Sequence, residues 1–312
     1  MRFLFAICGL TLLAGGCQGL EPELSKTRSA IEGGSLEYGE PNVVMLVKKD
    51  EAGAWQMTCT GTMVGHDVVL TAQHCLWFPG ITQEWIQAGN LVEWIQAGNL
   101  GIQYGNNPPI GLKVVPVVDG TLAPGPSNDV ALLKLEKPLS EYWVGAAAVP
   151  EQVAIESTGI TAADCSDPNV GPPSKHVGYG YDHGGVLGSW GVNGVKRSGM
   201  STSTLAQGTT CGPVWVRSGD SGGPVFHDSE AQRRIIGTII STSWETNEAT
   251  HLDGSWLSCW VNDQIIALSD EDTSWIQTCA WCGNGVCEAA AGECDRATFC
   301  AEDCCPEGIC SC

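Results

Sequence analysis

The stretch CGPVWVRSGDSGGPVF, residues 211–226, holds a serine in a tight turn formed by its glycine-rich second half. Glycines on both sides of Ser221 permit backbone angles and close approaches that a Cβ atom would block. The amide N–H groups of Gly219 and Ser221 can therefore point at one developing negative charge, as in an oxyanion hole. Asp220, between them, would be a costly buried charge without a partner, so the turn requires a cation from elsewhere in the chain.

Two other stretches carry the groups that would activate a serine hydroxyl. LTAQHC ends a strand-like run with His74, and SNDVALLKL places Asp129 at the head of another such run. Attack on a carbonyl near neutral pH requires a hydroxyl, a base that takes its proton and a carboxylate that fixes the tautomer of that base. The three stretches together predict Ser221 as the nucleophile, His74 as the general base and Asp129 as the residue that orients the base.

Short β-branched runs, separated by glycine and proline, extend from residue 31 to about residue 266: NVVMLVKK, DVVLTA, GLKVVPVV, DVALLKL and RIIGTIIST. This spacing favours an all-β sandwich or barrel. Two segments near the end, VNDQIIAL and SDEDTSWIQT, are predicted to be helical, the second with acidic residues in its first turn. The pattern therefore predicts an all-β domain followed by a terminal helix.

Residues 31 to about 278 resemble the trypsin and chymotrypsin family of serine proteases. His74, Asp129 and Ser221 occur in the same chain order as the catalytic residues of that family. The resemblance implies two six-stranded antiparallel β-barrels with the active site at their junction. It also implies a serine endopeptidase that cleaves protein or peptide substrates through an acyl-enzyme, with Gly219 and Ser221 as the oxyanion hole. The rival interpretation is a catalytically silent homologue that uses the same fold for binding.

The sequence IEGG at 31–34 resembles the mature N-terminus of these enzymes, which cleavage of a zymogen exposes. By that resemblance, cleavage between Ala30 and Ile31 frees an α-amino group that pairs with Asp220. Cys59 and Cys75 match the disulfide that holds the loop of the catalytic histidine in the family. The resemblance thus implies the activation pair Ile31 and Asp220 and a protease domain over residues 31–279.

The chain departs from the family pattern at several positions. Gln73 replaces an alanine before the catalytic histidine, and Glu32 replaces an aliphatic residue after Ile31. Arg217 stands where the family often has a cysteine. The remaining cysteines of the domain admit three pairings that the sequence does not distinguish: Cys165, Cys211, Cys259 and Cys279.

The specificity pocket is predicted to disfavour Arg and Lys substrates. Trp215 stands six residues before the nucleophile, where trypsin-like members carry an aspartate. If Trp215 enters the pocket, only small side chains fit; if the loop is rebuilt, the pocket is apolar. Two positions are candidates for the strand that pairs with substrate. Counting from Gly237 favours Ser241, whereas the dipeptide SW favours Ser243 and Trp244.

The residue before the activation bond is Ala30, which suggests that the enzyme matures itself by cleaving after small residues. The rival route is cleavage after Arg28 by another protease, followed by trimming.

The first residues are typical of a bacterial export signal: Arg2 gives the positive start, FLFAICGLTLL the apolar core and AGG the small residues before Cys17. LAGGC also resembles a bacterial lipobox, in which Cys17 is acylated and becomes the new N-terminus. Leu13 lies one position too far from Cys17, and Ala14 and Gly16 equally suit an ordinary signal peptidase. We therefore expect a signal over 1–17, with lipidation favoured.

Cysteine parity is the reason for favouring lipidation. Sixteen cysteines, less Cys8 in the signal and Cys17 once acylated, leave an even number for disulfides. Either form is extracytoplasmic, as a secreted protein or an outer-membrane lipoprotein, so the cysteines are interpreted as disulfides before metal ligands. The formal net charge of −20 repels phosphate backbones, so nucleic acid is not an expected partner.

Two segments flank the protease-like domain. Residues 18–30 are polar and aperiodic, as in a propeptide or tether, so that activation would release the domain from a lipid anchor. Residues 282–312 hold eight cysteines and resemble short Cys-rich repeats of secreted myxobacterial proteins and, more loosely, calcium-binding repeats of Notch-type receptors. No cofactor is expected, although Asn284, Asp295 and Asp303 carry the oxygen donors that calcium takes. The favoured interpretation of this tail is a disulfide-tied module for attachment to a cell surface or another protein.

The sequence EWIQAGNL occurs at 84–91 and again at 93–100. We interpret it as a strand and turn copied once, with one copy forming an extra hairpin or surface loop. The period of nine would turn Trp85 and Trp94 to opposite faces of a continuous strand.

Overall fold

The structure is a computed structural model of the chain. It describes residues 31, 34–77, 91–104, 114–124, 128–142, 173–180, 195–204, 209–211, 216–228, 233–242, 247–252 and 256–276. The expected signal, propeptide and Cys-rich tail lie outside these ranges. Within them, no helix combines the length and the apolar composition needed to cross a bilayer.

Strands dominate the described part of the chain. In chain order they are β1 (Ser35–Leu36), β2 (Val43–Lys49), β3 (Trp55–Met63), β4 (Val68–Thr71), β5 (Leu100–Gln103), β6 (Val115–Leu122), β7 (Ala131–Leu135), β8 (Pro173–Gly178), β9 (Arg197–Thr204), β10 (Thr209–Cys211), β11 (Pro224–Asp228), β12 (Arg233–Thr242) and β13 (Asn247–His251). The helices are α1 (Leu91–Gln96), α2 (Leu139–Tyr142) and α3 (Trp256–Leu268).

A closed antiparallel barrel forms the first half, in the strand order β2-β3-β4-β7-β6-β5. Strand β2 is apolar on both faces, because alternate residues point into two different cores. Val44 and Leu46 pack inside the barrel, whereas Val43 and Met45 pack against residues of the second half and of α3. The β-branched runs therefore predicted β2, β4, β6 and β7 correctly, though not β3 or β5, and the expected first barrel is confirmed.

The second half is a seven-stranded sheet in the order β1-β9-β10-β13-β12-β11-β8, in which β8 also pairs with β9. The nucleophile stretch connects into it at β11, whose Val225 and Phe226 are fully buried. The expectation of a second six-stranded barrel stays a prediction.

The predicted C-terminal helix is confirmed as α3. Its buried residues Leu257, Val261 and Ile265 recur every four positions and belong to the same core cluster as Val43 and Met45. The helix thereby packs its apolar side against the first barrel.

The prediction that SDEDTSWIQT is helical is wrong over residues 269–276, which form turns. The Ser269 hydroxyl and the Asp270 amide both donate to the Asp67 carboxylate, and the Ser274 amide donates to Asp272. Short polar side chains that bind nearby backbone compete with helix formation, which accounts for the outcome.

The second copy of the repeat is helical, not a strand. Its first residues continue α1, in which Leu91 and Ile95, four positions apart, are buried. The helix ends just before Gly98, whose φ of +71° suits glycine at a helix C-terminus. The strand interpretation of residues 93–96 is therefore wrong, since apolar spacing of four fits a helix. The first copy lies outside the described residues, except for Leu91.

Candidate active site

The position of His74 follows from the end of β4. A single turn of 3₁₀ helix, Gln73–Leu76, starts two residues after that strand. Cys75 of this turn forms a disulfide with Cys59 of β3. The turn that carries His74 is thus tied covalently to a neighbouring strand of the barrel.

Asp129 binds His74 through both of its carboxylate oxygens. Oδ2 lies 2.6 Å from the ring nitrogen Nδ1, and Oδ1 accepts the backbone N–H of His74 at 2.8 Å. Because a carboxylate only accepts hydrogen bonds, Nδ1 carries the hydrogen, and in the neutral ring the other nitrogen, Nε2, then has the lone pair. This is the tautomer that a general base for a hydroxyl requires.

Ser221 is partly exposed and lies beside the loop of His74. The carbonyl oxygen of Ser221 is 3.6 Å from Cys75 Sγ, a contact with a disulfide sulfur that has no hydrogen to donate. The Ser221 hydroxyl donates to the carbonyl oxygen of Ile240 at 3.0 Å. In this rotamer the hydroxyl hydrogen is directed at β12 and not at His74, and catalytic hydrogen bonds often form only with substrate in place.

The backbone amides of the nucleophile turn differ in their hydrogen bonds to the described residues. Asp220 N, Gly222 N and Gly223 N donate to carbonyl oxygens of the protein at 2.8–2.9 Å. Among the described residues, no group accepts from Gly219 N or Ser221 N. These are the two amides that the sequence assigned to an oxyanion hole, and Gly219 has a φ of +94° that favours glycine.

Asp220 is completely buried and accepts hydrogen bonds from three backbone amides. Oδ2 accepts from Ile31 at 3.1 Å and from Arg217 at 2.7 Å, and Oδ1 accepts from Gly180 at 2.7 Å. Burial raises the pKa of Asp220 to about 6, and the amides and the Arg217 charge offset only part of this effect. In the intact chain the Ile31 amide therefore stands where the sequence argument required a cation.

Two glycines that the sequence analysis missed shape the pocket of Asp220. A Cβ atom on Gly178 would lie 2.2 Å from Asp220 Oδ1, and one on Gly180 would lie 2.7 Å from the carboxylate. In the sequence, the pattern GYG at 178–180 was the one signal of this close approach. It could be interpreted only when Asp220 was known to pack against these two glycines.

Comparison of the sequence with models of protein families identifies the family of this chain. The family model named Trypsin matches residues 34–253, more than two thirds of the chain. The chain belongs to the trypsin family. Solved structures that are similar to this chain include that of a scabies mite inactivated protease paralogue, S-I1, with 19% sequence identity and a TM-score of 0.52. The match covers 75% of this chain and 99% of that one, and at this identity it supports the fold alone. No curated protein matches the chain.

One cluster of potential metal ligands lies within the described part of this trypsin-family domain. Atoms of Cys59, His74 and Cys75 lie within 4.8 Å of one another. Both sulfurs belong to the disulfide, so neither is a thiolate that could bind a metal. The cluster is explained by the covalent tie beside His74.

Several predicted site residues lie outside the described residues. Trp215, Ser243 and Trp244 are not among the described residues, and Ser241 is described only as part of strand β12. Cys259 is in a disulfide, whereas Cys165 and Cys279 lie outside the described ranges. The specificity pocket and the remaining cysteine pairings thus stay predictions.

Removal of the Cys59–Cys75 disulfide is expected to destabilise the trypsin-family domain. The bond closes a loop with a sequence separation of 16, for which chain entropy gives about 3 kcal/mol. The double variant Cys59→Ala/Cys75→Ala should lower the free energy of unfolding by about that amount. It should also lower activity by freeing the His74 turn. Urea denaturation of the variant and the parent checks the first effect, and an unchanged midpoint would contradict it.

Proposed function

We propose that the chain is a serine endopeptidase in which Ser221 attacks, His74 acts as general base and Asp129 orients His74. The observation that supports the proposal is the double hydrogen bond between Asp129 and His74, which favours the ring tautomer that a base requires. Membership of a family of serine peptidases supports the same reaction. Protein or peptide substrates follow from that family.

The proposed reaction has two halves. Ser221 Oγ bonds to the carbonyl carbon while its proton passes to His74 Nε2, and the oxyanion accepts from Gly219 N and Ser221 N. Collapse of this intermediate breaks the C–N bond, and the leaving amine takes the proton from His74. In the second half, water attacks the acyl-enzyme through the same steps, which releases the acid and restores Ser221. Before the first step, the Ser221 hydroxyl must turn from Ile240 towards His74.

A catalytically silent homologue that binds proteins is the second candidate. The observation in its favour is the hydrogen bond from Ser221 Oγ to the Ile240 carbonyl, which keeps the hydroxyl away from the base. Cleavage-site profiling of a peptide library, with a Ser221→Ala control, separates the two candidates. Cuts that vanish in the control support the endopeptidase, and no Ser221-dependent cut supports the binding homologue.

The same library tests the proposed specificity. We propose cleavage after small residues and not after Arg or Lys, because Trp215 replaces the usual aspartate in the pocket that Ser241 would border. Frequent cuts after Arg or Lys would contradict this assignment.

Activation by cleavage between Ala30 and Ile31 is part of the proposal. Ile31 is 1% exposed, and its amide already donates to Asp220. Its φ of +49° is unfavourable for a β-branched residue, at a cost of about 1–3 kcal/mol. This dihedral involves the carbonyl carbon of Ala30, so cleavage removes the strain and leaves an ammonium group beside the carboxylate. Both effects favour the cleaved form.

Asp220 gives the intact chain a pH dependence that cleavage should abolish. Because its pKa in the folded protein is raised from 3.8 to about 6, the folded state holds this proton more tightly than the unfolded state. Stability of the intact chain should therefore fall by up to about 3 kcal/mol as the pH rises from 4 to 7. After cleavage the Ile31 ammonium favours the carboxylate, and this fall should disappear.

The pH prediction is checked by urea denaturation of Ser221→Ala protein, which cannot cleave itself, with an enterokinase sequence in place of residues 26–30. The protein is measured before and after enterokinase treatment, and Asp220→Asn in the same background gives the contribution of all other groups. Equal pH slopes before cleavage with and without the Asp220→Asn substitution would contradict the assignment.

We also propose export, with a signal over residues 1–17, a propeptide over 18–30 and a Cys-rich tail over 282–312 that attaches the protein to a surface or partner. Acylation of Cys17 would anchor the zymogen, and activation would release the protease. Mass spectrometry of the N-terminus tests this: a diacylglyceryl group on Cys17 supports the anchor, and an unmodified terminus contradicts it.

A further inference from the structure

Thr60 connects the first barrel to the nucleophile turn. It lies in β3, is fully buried and takes part in at least four hydrogen bonds with described residues. Its hydroxyl donates to the Gly219 carbonyl at 2.8 Å and accepts the Tyr179 amide at 3.0 Å. Its own amide donates to the Ser221 carbonyl at 2.8 Å, and its carbonyl accepts from the Thr71 hydroxyl at 2.8 Å. One residue thus contacts three separate segments of the site.

The two carbonyls that Thr60 holds belong to the residues whose amides form the oxyanion hole of the proposed reaction. Gly219 has no side chain to restrict its backbone, and its φ of +94° is one of several regions open to glycine. The hydroxyl of Thr60 fixes the carbonyl of Gly219, and the amide of Thr60 fixes that of Ser221. Each carbonyl lies in the peptide plane after its Cα and each N–H in the plane before it, so these bonds restrain the N–H groups of Gly219 and Ser221 through the φ and ψ angles of the two residues.

The hydroxyl also joins the oxyanion hole to the pocket of Asp220. The Thr60 hydroxyl accepts a hydrogen bond from the amide of Tyr179. Tyr179 lies between Gly178 and Gly180, which line that pocket. The turn and β3 are in close backbone contact here, since a Cβ on Gly222 would lie 2.2 Å from the Thr60 carbonyl. A change at the Thr60 hydroxyl therefore acts on the oxyanion donors without intervening side chains.

We propose that the Thr60 hydroxyl is a positioning group for the oxyanion hole, holding Gly219 in the conformation that stabilises the transition state. This rests on the proposed function, since the oxyanion arises only in hydrolysis. Loss of one oxyanion donor costs about 10²–10³-fold in kcat, and a displaced donor should cost less, about 10–100-fold. KM should change little, because the oxyanion is absent from the bound substrate.

The chain offers a matched control two residues along the same strand. Thr62 lies on the same face of β3 and is equally buried, but its hydroxyl has no hydrogen-bond partner among the described residues. Thr60→Val and Thr62→Val thus make the same isosteric change, and only the first removes hydrogen bonds. Thr60→Ser keeps the hydroxyl and should restore activity.

The test measures kcat, KM and the affinity for a peptide boronic acid, which forms a tetrahedral adduct, in all three variants and the parent. We expect kcat and boronate affinity to fall together by about 10–100-fold in Thr60→Val alone, with KM unchanged. Parental kcat in Thr60→Val, or equal losses in Thr62→Val, would overturn the proposal. A rise in KM with kcat retained would also overturn it.

Hydrogen–deuterium exchange of the peptide that spans Arg217–Val225 gives a readout that does not require activity. Thr60→Val should speed exchange there, whereas Thr62→Val and Thr60→Ser should not; unchanged exchange would overturn the proposal. A parent without Ser221-dependent hydrolysis refutes the proposed function, and the exchange data then decide the role of Thr60 alone.

Discussion

Replacement of Ser221 by alanine is expected to lower kcat of the matured protein by about 10⁶-fold, the largest effect of any single substitution considered. Without the hydroxyl there is no acyl-enzyme, and the oriented His74–Asp129 pair has no proton to take. The amides of Gly219 and Ser221 and the substrate contacts remain, so a small residual rate over that of water is expected.

The comparison requires both proteins to carry the same N-terminus, because the variant cannot mature itself. Enterokinase cleavage before Ile31 in both provides this. Ser274→Ala, at an exposed serine in the turn after α3, is the control and should retain parental kcat. Hydrolysis that survives in Ser221→Ala would show that another group, or a contaminant, performs the reaction.

Replacement of Asp129 by asparagine is expected to lower kcat by about 10⁴-fold with little change in fold. Asparagine matches the shape of aspartate, but its amide donates hydrogen bonds. An NH₂ group facing Nδ1 selects the tautomer with hydrogen on Nε2, so His74 no longer offers a lone pair to Ser221. The hydrogen bond from the His74 amide to the side-chain oxygen can persist, which preserves the position of the turn.

Asp119→Asn is the matched control for Asp129→Asn. Asp119 lies in β6 of the same barrel and accepts only the neighbouring Gly120 amide in the described structure. Steady-state kinetics with a substrate from the library should show parental kcat for Asp119→Asn. A loss below tenfold in Asp129→Asn would contradict the role of Asp129 in orienting the base.

The sequence was sufficient for elements whose pattern depends on local burial. β-branched runs between turn residues predicted β2, β4, β6, β7 and β12, and the stretch VNDQIIAL was predicted to be helical, as it is in α3. Prediction from the sequence failed at two segments, where hydrogen bonds from short polar side chains or the spacing of apolar residues determined whether the segment is a helix, a strand or a turn. Residues 269–276 form turns because of bonds to Asp67 and Asp272, and residues 93–96 form a helix because Leu91 and Ile95 pack on the barrel.

Within the site, the sequence could suggest residue types but not long-range contacts. His74, Asp129 and Ser221 were recognisable because each occurs in a characteristic stretch. Thr60 was not, because its importance arises from bonds to residues more than 100 positions away in the chain. The same holds for the Ile31 amide at Asp220: the sequence predicted a pair after cleavage, and the hydrogen bond in the intact chain became visible only in the structure.

The role of Ser221 as the nucleophile is best tested by reacting the matured protein with a fluorophosphonate, whose phosphorus mimics the scissile carbonyl carbon. Ser221 Oγ should displace fluoride, with its proton taken by His74, to give one phosphonyl group per chain at Ser221. Mass spectrometry locates the adduct, and His74→Ala should abolish it. Adducts spread over other serines, or labelling of Ser221 that is unaffected by His74→Ala, would contradict the assignment of Ser221 as nucleophile and His74 as base.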